Sequence, residues 1–82
     1  MKVILSKEAQ KNYAHLPVSE QKKVKKKLFS LEKNPFDGKK LEGQLSKYRS
    51  IRAWPYRIIY QINEKEQSVE VSSILHRQSA YQ

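Results

Sequence analysis

The chain has 82 residues, a net charge of +9 and no cysteine. A chain of this length builds one modest core, which excludes separate substrate and cofactor domains, and without cysteine it has no disulfides, thiolate nucleophile or cysteine-based zinc site. No apolar run has the length of a membrane span, and the excess of lysine and arginine favours a polyanionic partner such as nucleic acid, or an acidic protein. We expect a single cytoplasmic domain over residues 1–82.

The N-terminal part predicts a strand followed by a helix. Lys2–Leu5 has the composition of a short strand. Ser6 can cap the helix after it, and Glu8 lies in the first turn, where the helix dipole favours an acid. This helix is expected to end near Leu16, because Pro17 follows.

A second helix is predicted to begin at Ser19. Its apolar positions recur with the spacing i, i+4 and i+7, at Val24, Leu28 and Leu31. The other faces carry many lysines, which form either an ordinary solvated face or a basic rim that contacts a nucleic-acid backbone. The helix ends at Asn34, because the residue before Pro35 is driven out of the helical region.

Residues 48–60 predict a β-hairpin, and residues 39–47 before it form a polar, basic connection. The two runs of the hairpin are rich in β-branched and aromatic residues, and Trp54-Pro55 forms the turn. Period two separates two faces of the second run, one with Tyr56, Ile58, Tyr60 and Ile62, the other with Arg57, Ile59 and Gln61. An arginine in an apolar strand faces either solvent or a concave site, and we favour the concave site.

A last strand is predicted for residues 68–75. Alternation groups Val69, Val71, Ser73 and Leu75 on one face and Glu70, Ser72 and Ile74 on the other. The resulting order is β-α-α-β-β-β, with helices early and an antiparallel meander late. It predicts an α+β fold in which a mainly antiparallel sheet packs against two N-terminal helices.

The end of the last strand carries three side chains with useful chemistry, His76, Arg77 and Tyr81. An imidazole exchanges protons near neutral pH, an arginine stabilises charge on a phosphate, and a tyrosine stacks on a base or moves a proton. Taken by itself, His76 is more often an ordinary surface residue, but the neighbouring Arg77 and Tyr81 favour a functional role. No metal site is predicted, because His15 lies far from His76 and no ligand cluster has recognisable spacing.

The charged residues are divided between the two halves of the chain. Residues 1–47 contain twelve lysines and no arginine, whereas all four arginines lie in residues 48–82. The planar fork of arginine suits two-point contact with a phosphate, while lysine acts as a hydrated point charge. This division favours general attraction by the first half and a specific phosphate contact by the second.

The order of elements, the Tyr56-Arg57-Ile58-Ile59-Tyr60 strand preceded by Arg52, and the terminal His76-Arg77 with Tyr81 together resemble the RelE/ParE superfamily of bacterial and archaeal toxin–antitoxin toxins. The resemblance implies a RelE-like domain. Toxins of the RelE branch are endoribonucleases that enter the A site of the 30S subunit of the ribosome and cut mRNA, and a cognate antitoxin blocks them. In the ParE branch the same fold inhibits DNA gyrase. We favour the RelE branch.

The resemblance also implies roles for individual residues. Arg57 would contact the scissile phosphate, Arg77 would stabilise its developing charge, and Arg52 would add a basic group on the neighbouring strand. His76 or Tyr81 would be the general acid or base, without a metal or cofactor. Further RNA contacts are expected from Arg49, Lys47, Lys22, Lys25 and Lys26.

One departure from the superfamily pattern keeps other functions open. The basic residue often found two positions before Arg52 is Ser50 here, although Arg49 is adjacent. Gyrase inhibition without nuclease activity is therefore the second hypothesis. The third is a basic nucleic-acid-binding module without chemistry, which the composition alone would satisfy.

Overall fold

The chain folds into two helices packed on a five-stranded sheet, within residues 1–77, which the computed structural model describes. In chain order the elements are β1 (Lys2–Leu5), α1 (Lys7–Ala14), α2 (Val18–Lys33), β2 (Lys39–Lys40), β3 (Tyr48–Ala53), β4 (Tyr56–Asn63) and β5 (Ser68–His76). The strand order is β1-β5-β4-β3-β2, and only the β1–β5 pair is parallel. The predicted α+β fold class is confirmed. Neither α1 nor α2 is long and apolar enough to cross a membrane.

Helix α1 begins and ends close to the predicted positions. The Ser6 hydroxyl accepts a hydrogen bond from the Ala9 N–H at 3.0 Å, which satisfies one of the free donors of the first turn. The last helical residue is Ala14 rather than Leu16, and His15 caps the C-terminus. Nδ1 of His15 lies 2.7 Å from the carbonyl oxygen of Lys11, so this histidine has a local structural role.

Helix α2 begins at Val18, one residue before the predicted Ser19, and the residue at its N-cap is Pro17. A proline is tolerated at a helix start, where its missing N–H would have no partner within the helix. The predicted apolar stripe faces the sheet, with Val24 and Leu31 buried and Leu28 half-buried.

The core lies between the helices and one face of the sheet. In β4 the alternation is as predicted, since Ile58 and Tyr60 are buried and Tyr56 and Ile62 pack against them. The helices contribute Ala9, Val24 and Leu31, and the other strands contribute Ile51, Ala53, Val69, Val71 and Ile74. This burial fixes which face of the sheet remains open.

A β-bulge in β5 overturns the predicted alternation of the last strand. The register shifts between Ile59 and Tyr60 of β4, so Ser72 opposes no residue of β4. An extra residue moves every following side chain to the other face. Ile74 therefore lies in the core and Leu75 lies on the opposite face. The predicted grouping of Leu75 with the valines of β5 is wrong.

Polar side chains beside α1 hold this bulge. The hydroxyl of Ser6 donates to the carbonyl oxygen of Ser72 at 2.8 Å, and Oδ1 of Asn12 accepts from the N–H of Ile74 at 2.9 Å. A bulge leaves backbone groups without partners in the ladder, and these two bonds supply them. The pleat of β5 is thus set by residues more than sixty positions earlier in the chain.

Tyr60 fixes the loop between α2 and β2 against the sheet. Its buried hydroxyl donates to the carbonyl oxygen of Pro35 at 2.8 Å and accepts from the N–H of Gly38 at 2.9 Å. A Cβ at position 38 would lie only 2.8 Å from Cε1 of the Tyr60 ring, so this close approach requires glycine. The anchored loop leads directly into β2 at the sheet edge.

The Tyr60 hydroxyl yields a stability prediction. Tyr60→Phe leaves a buried donor and a buried acceptor unpaired, and we expect it to lower the free energy of unfolding by about 1–3 kcal/mol at pH 7. Burial raises the pKa of Tyr60 above its ordinary value of 10.0, against the opposing effects of the Gly38 N–H and the Arg49 guanidinium. Because the folded pKa is the higher one, the stabilisation is complete below about pH 10 and is lost as the pH rises through the folded pKa.

Urea unfolding of the wild type and of Tyr60→Phe at pH 7 and at increasing alkaline pH checks this prediction. The difference in stability between the two proteins should narrow above about pH 10. Tyr13→Phe, at a half-buried tyrosine of α1, is the control for general tyrosine ionisation. Equal stability of the wild type and Tyr60→Phe at pH 7 would contradict the prediction.

Candidate functional site

The face of the sheet that points away from the helices, here called the open face, carries Arg52 and Arg57. These two arginines are direct partners across β3 and β4. The neighbouring pair, Ile51 and Ile58, lies in the core, so the arginines point to the other side. Directly opposed residues have Cβ atoms about 4.5–5.5 Å apart, and like charges at that distance repel. A bound anion would relieve this repulsion.

The two arginines line a groove of about 710 Å³, here called the arginine groove. One wall is the loop and short strand between α2 and β3, and the other is the end of the β3–β4 hairpin. The lining residues are Asp37, Gly38, Lys39, Lys40, Leu41, Glu42, Ser50, Ile51, Arg52 and Arg57. The groove thus combines four cations with two carboxylates and one hydroxyl.

Arg49 lies on the helix side of the sheet. Its Nη1 donates to the carbonyl oxygen of Gly38 at 2.9 Å, and its Cζ is 5.1 Å from the centroid of the Phe36 ring. These contacts give Arg49 a structural role beside the Tyr60 anchor. Arg49 therefore does not replace, on the open face, the basic group that Ser50 lacks.

Lys39 takes the place next to Ser50 on the open face. In the β2–β3 pair Lys39 opposes Ser50, while Lys40 opposes Arg49. Opposed residues share a face, so the Lys39 ammonium and the Ser50 hydroxyl point into the same groove. Sequence reasoning missed Lys39 because a strand of two residues has no readable periodicity.

A second groove of about 470 Å³, here called the apolar groove, adjoins the first. Its lining is mainly apolar: Leu41, Glu42, Leu45, Tyr48, Ser50, Ile59, Ser72, Ser73 and Leu75. Leu41, Glu42 and Ser50 line both grooves, so the two are continuous. The β5 bulge turns Leu75 toward this groove, where it forms part of the apolar floor. Glu42, like Lys39, is a groove residue that the sequence pattern did not reveal.

His76 and Arg77 both lie at the hairpin end of the sheet. The ring of His76 makes an edge contact with Tyr56, with 5.5 Å between centroids, on the face opposite to Arg57. The N–H of Arg77 donates to the carbonyl oxygen of Pro55 at 2.8 Å, and its Cζ lies 5.0 Å from the Trp54 ring centroid. The structure therefore brings Arg77 to the hairpin turn, beside Trp54, and not among the residues that line the arginine groove.

The predicted lysines are spread over the surface. Lys26 lines a third cavity of about 370 Å³, here called the Trp54 cavity, which is formed by Lys23, Lys26, Lys27, Arg52, Ala53 and Trp54. Lys22 and Lys25 are exposed on α2 but do not line it. Lys47 is exposed, and its Nζ lies 5.6 Å from the Tyr48 ring centroid. Tyr81 lies outside the described residues.

Comparisons with known proteins agree with the fold. Residues 3–81 match the model of a family described as the ParE toxin of type II toxin-antitoxin system, parDE. No curated protein matches the sequence.

Solved toxin structures resemble the chain over almost its whole length. The RelBE2 complex of Mycobacterium tuberculosis contains a chain with 27% identity and a TM-score of 0.85, covering 93% of this chain and 96% of that one. The archaeal RelE-RelB complex of Pyrococcus horikoshii contains one with 27% identity and a TM-score of 0.76, covering 96% and 97%. The isolated RelE toxin of E. coli, at 24% identity, shares the fold with a TM-score of 0.80, covering 92% and 82%.

Proposed function

The chain belongs to the ParE toxin family of type II toxin–antitoxin systems, and we propose that it acts as an endoribonuclease that cuts mRNA on the ribosome. The proposal depends above all on Arg52 and Arg57, which oppose each other at the arginine groove. Two guanidinium groups aimed at one groove suit a phosphodiester, because arginine binds phosphate oxygens at two points. The structural likeness to the toxin chains of the RelBE2 and RelE-RelB complexes agrees with the RelE branch that the sequence favours.

The proposed reaction is attack by the ribose 2′-hydroxyl on the adjacent phosphorus. A base removes the proton from the hydroxyl, the oxygen attacks in line, and an acid protonates the leaving 5′-oxygen. The products are a 2′,3′-cyclic phosphate and a free 5′-hydroxyl. Arg57 and Arg77 stabilise the negative charge on the non-bridging oxygens.

Two residues of the arginine groove complete the proposal. Lys39 supplies the cation beside Ser50, on the face where the superfamily often has a basic residue. Glu42 places a carboxylate in the same groove as Arg57, which makes it a third candidate for proton transfer besides His76 and Tyr81. The ribosome would contribute by holding the message in the reactive geometry.

An antitoxin is the proposed protein partner. The solved RelBE2 and RelE-RelB structures are toxin–antitoxin complexes. The apolar groove suits the apolar side of an amphipathic segment, and the net charge of +9 favours a segment that is acidic. We expect this segment to lie over the open face. Such a segment would cover the arginine groove and block the substrate.

Primer extension on translated mRNA, with and without induction of the protein, tests the proposed activity. We expect new 5′ ends within translated codons soon after induction, and none on a message whose start codon has been removed. Intact messages during growth arrest would contradict ribosome-dependent cleavage.

Lys39 gives a second test, with a control lysine that lies outside the arginine groove. If Lys39 supplies the cation beside Ser50, Lys39→Gln should lower the single-turnover cleavage rate by roughly tenfold, as for a lost charge contact of about 1.4 kcal/mol. Lys65→Gln removes the same charge from the β4–β5 turn, which does not line the arginine groove, and should leave the rate unchanged. Equal rates for the two variants would remove Lys39 from the proposed mechanism.

Gyrase inhibition remains the second candidate, and three observations favour it. The family whose model matches the chain is described as the ParE toxin, and ParE is the branch associated with gyrase inhibition. The position often basic in the superfamily is Ser50, and His76 lies on the opposite face from Arg57. A supercoiling assay with purified DNA gyrase separates the candidates, since a ribonuclease leaves supercoiling unchanged.

A further inference from the structure

The Trp54 cavity lies between α2 and the turn of the β3–β4 hairpin. Trp54 is 55% exposed. Such exposure leaves a large apolar ring in contact with water, where burial would be more favourable. The other walls are Ala53, Arg52 and three lysines of α2. The aliphatic stems of these long side chains form apolar walls, while their charged ends reach toward solvent.

The charge around this cavity is strongly positive. Lys23, Lys26, Lys27 and Arg52 line it, and Arg77 contacts the Trp54 ring at 5.0 Å. Glu20 partly offsets this charge, since its carboxylate lies 3.4 Å from Nζ of Lys23. The cavity thus joins an apolar, aromatic interior to a cationic rim.

This combination fits one chemical class better than others. A ligand for it needs a flat apolar part that packs beside the indole and a negative charge that meets the rim. A nucleotide within a single strand has both parts, because every base has a flat face and every linkage has a phosphate. A peptide of acidic residues alone would satisfy the rim but leave the indole without a partner.

The position of the cavity relative to the arginine groove supports the same ligand. Arg52 lines both the arginine groove and the Trp54 cavity. A strand whose phosphate lies at Arg52 and Arg57 therefore has a neighbouring nucleotide within reach of the hairpin turn.

We infer that Trp54 forms a base-stacking subsite, which holds an unpaired RNA base next to the phosphate bound at Arg52 and Arg57. This inference rests on the proposed function in taking RNA as the polymer. The subsite sets the register of the strand in the arginine groove. It recognises any base by its face, and so contributes binding energy with little sequence preference.

Trp54 is also the probe for the test, because the chain has one tryptophan. Purified protein is titrated with a non-cleavable hexanucleotide, in which every ribose carries 2′-O-methyl, while indole fluorescence is recorded. Stacking should quench the fluorescence. A hexanucleotide of equal charge with abasic positions should bind through its phosphates but leave most of the fluorescence unquenched.

Substitutions measure the contribution of the ring. By anisotropy of the labelled hexanucleotide, Trp54→Ala should weaken binding by roughly 5- to 150-fold, the range for loss of one stacked base, and Trp54→Phe by much less. Phe29→Ala, at another exposed aromatic residue, and Lys65→Gln, in the β4–β5 turn, are controls for lost apolar area and lost charge. Circular dichroism confirms that each variant is folded.

Three outcomes would overturn the inference: equal affinity for the abasic and normal strands, equal losses for Trp54→Ala and Phe29→Ala, or quenching by an oligoglutamate peptide but not by RNA. Because the ligand is non-cleavable, none of these results depends on nuclease activity. Cleavage of mRNA without Trp54-dependent binding would reject the subsite and leave the proposed function intact. Trp54-dependent binding without cleavage would support the subsite and reject the proposed ribonuclease activity.

Discussion

Arg57→Ala is expected to lower the rate of mRNA cleavage on the ribosome by about 10²-fold or more, while weakening ribosome binding far less. The reason is that a preorganised cation acts mainly on charge that develops in the transition state. Arg57 is half-buried, lines the arginine groove and opposes Arg52, which places it within the proposed phosphate site. Single-turnover cleavage at saturating protein measures this loss directly.

The conservative variant shows what part of the effect depends on the shape of the side chain. Arg57→Lys keeps the charge but loses the planar fork, so it should recover only part of the rate. Lys65→Ala removes a charge from the β4–β5 turn and should leave the rate unchanged. Cleavage by Arg57→Ala within threefold of the wild type would exclude Arg57 from phosphate stabilisation.

Local sequence signals predicted much of the fold. The cap at Ser6, the apolar stripe at Val24 and Leu31, and the alternation around Ile58 were predictable because each depends on residues within one turn or one strand. The same alternation predicted that Arg57 lies on the face of β4 opposite to Ile58. These features place the open face without knowledge of the tertiary contacts.

The β5 bulge could not be predicted, because its cause lies elsewhere in the chain. Bonds from Ser6 and Asn12 stabilise the extra residue at Ser72. Strict alternation therefore assigned Leu75 and Ile74 to the wrong faces. The error matters for function, because Leu75 forms part of the apolar groove.

The composition of the candidate site was also only partly predictable. Arg49 and Ser50 are adjacent in sequence, and only the pairing with β2 shows that Lys39 joins Ser50 while Arg49 binds Gly38. Arg52 and Arg57 are five positions apart, but the tight hairpin makes them direct partners. Strand register, rather than residue spacing, decides which charges meet.

Substitution of the attacking group on the RNA tests the central claim most directly. A ribosome complex is assembled on an mRNA that carries a single 2′-deoxynucleotide at the cut site, and cleavage is compared with that of the all-ribose message. Because the 2′-oxygen is the proposed nucleophile, the deoxy message should bind the toxin with unchanged affinity and remain intact at that position, while the ribose message is cut. Cleavage of the deoxy message at the normal rate would contradict 2′-hydroxyl attack. If both messages remained intact and the same protein inhibited DNA gyrase, the ribonuclease hypothesis would be rejected in favour of gyrase inhibition.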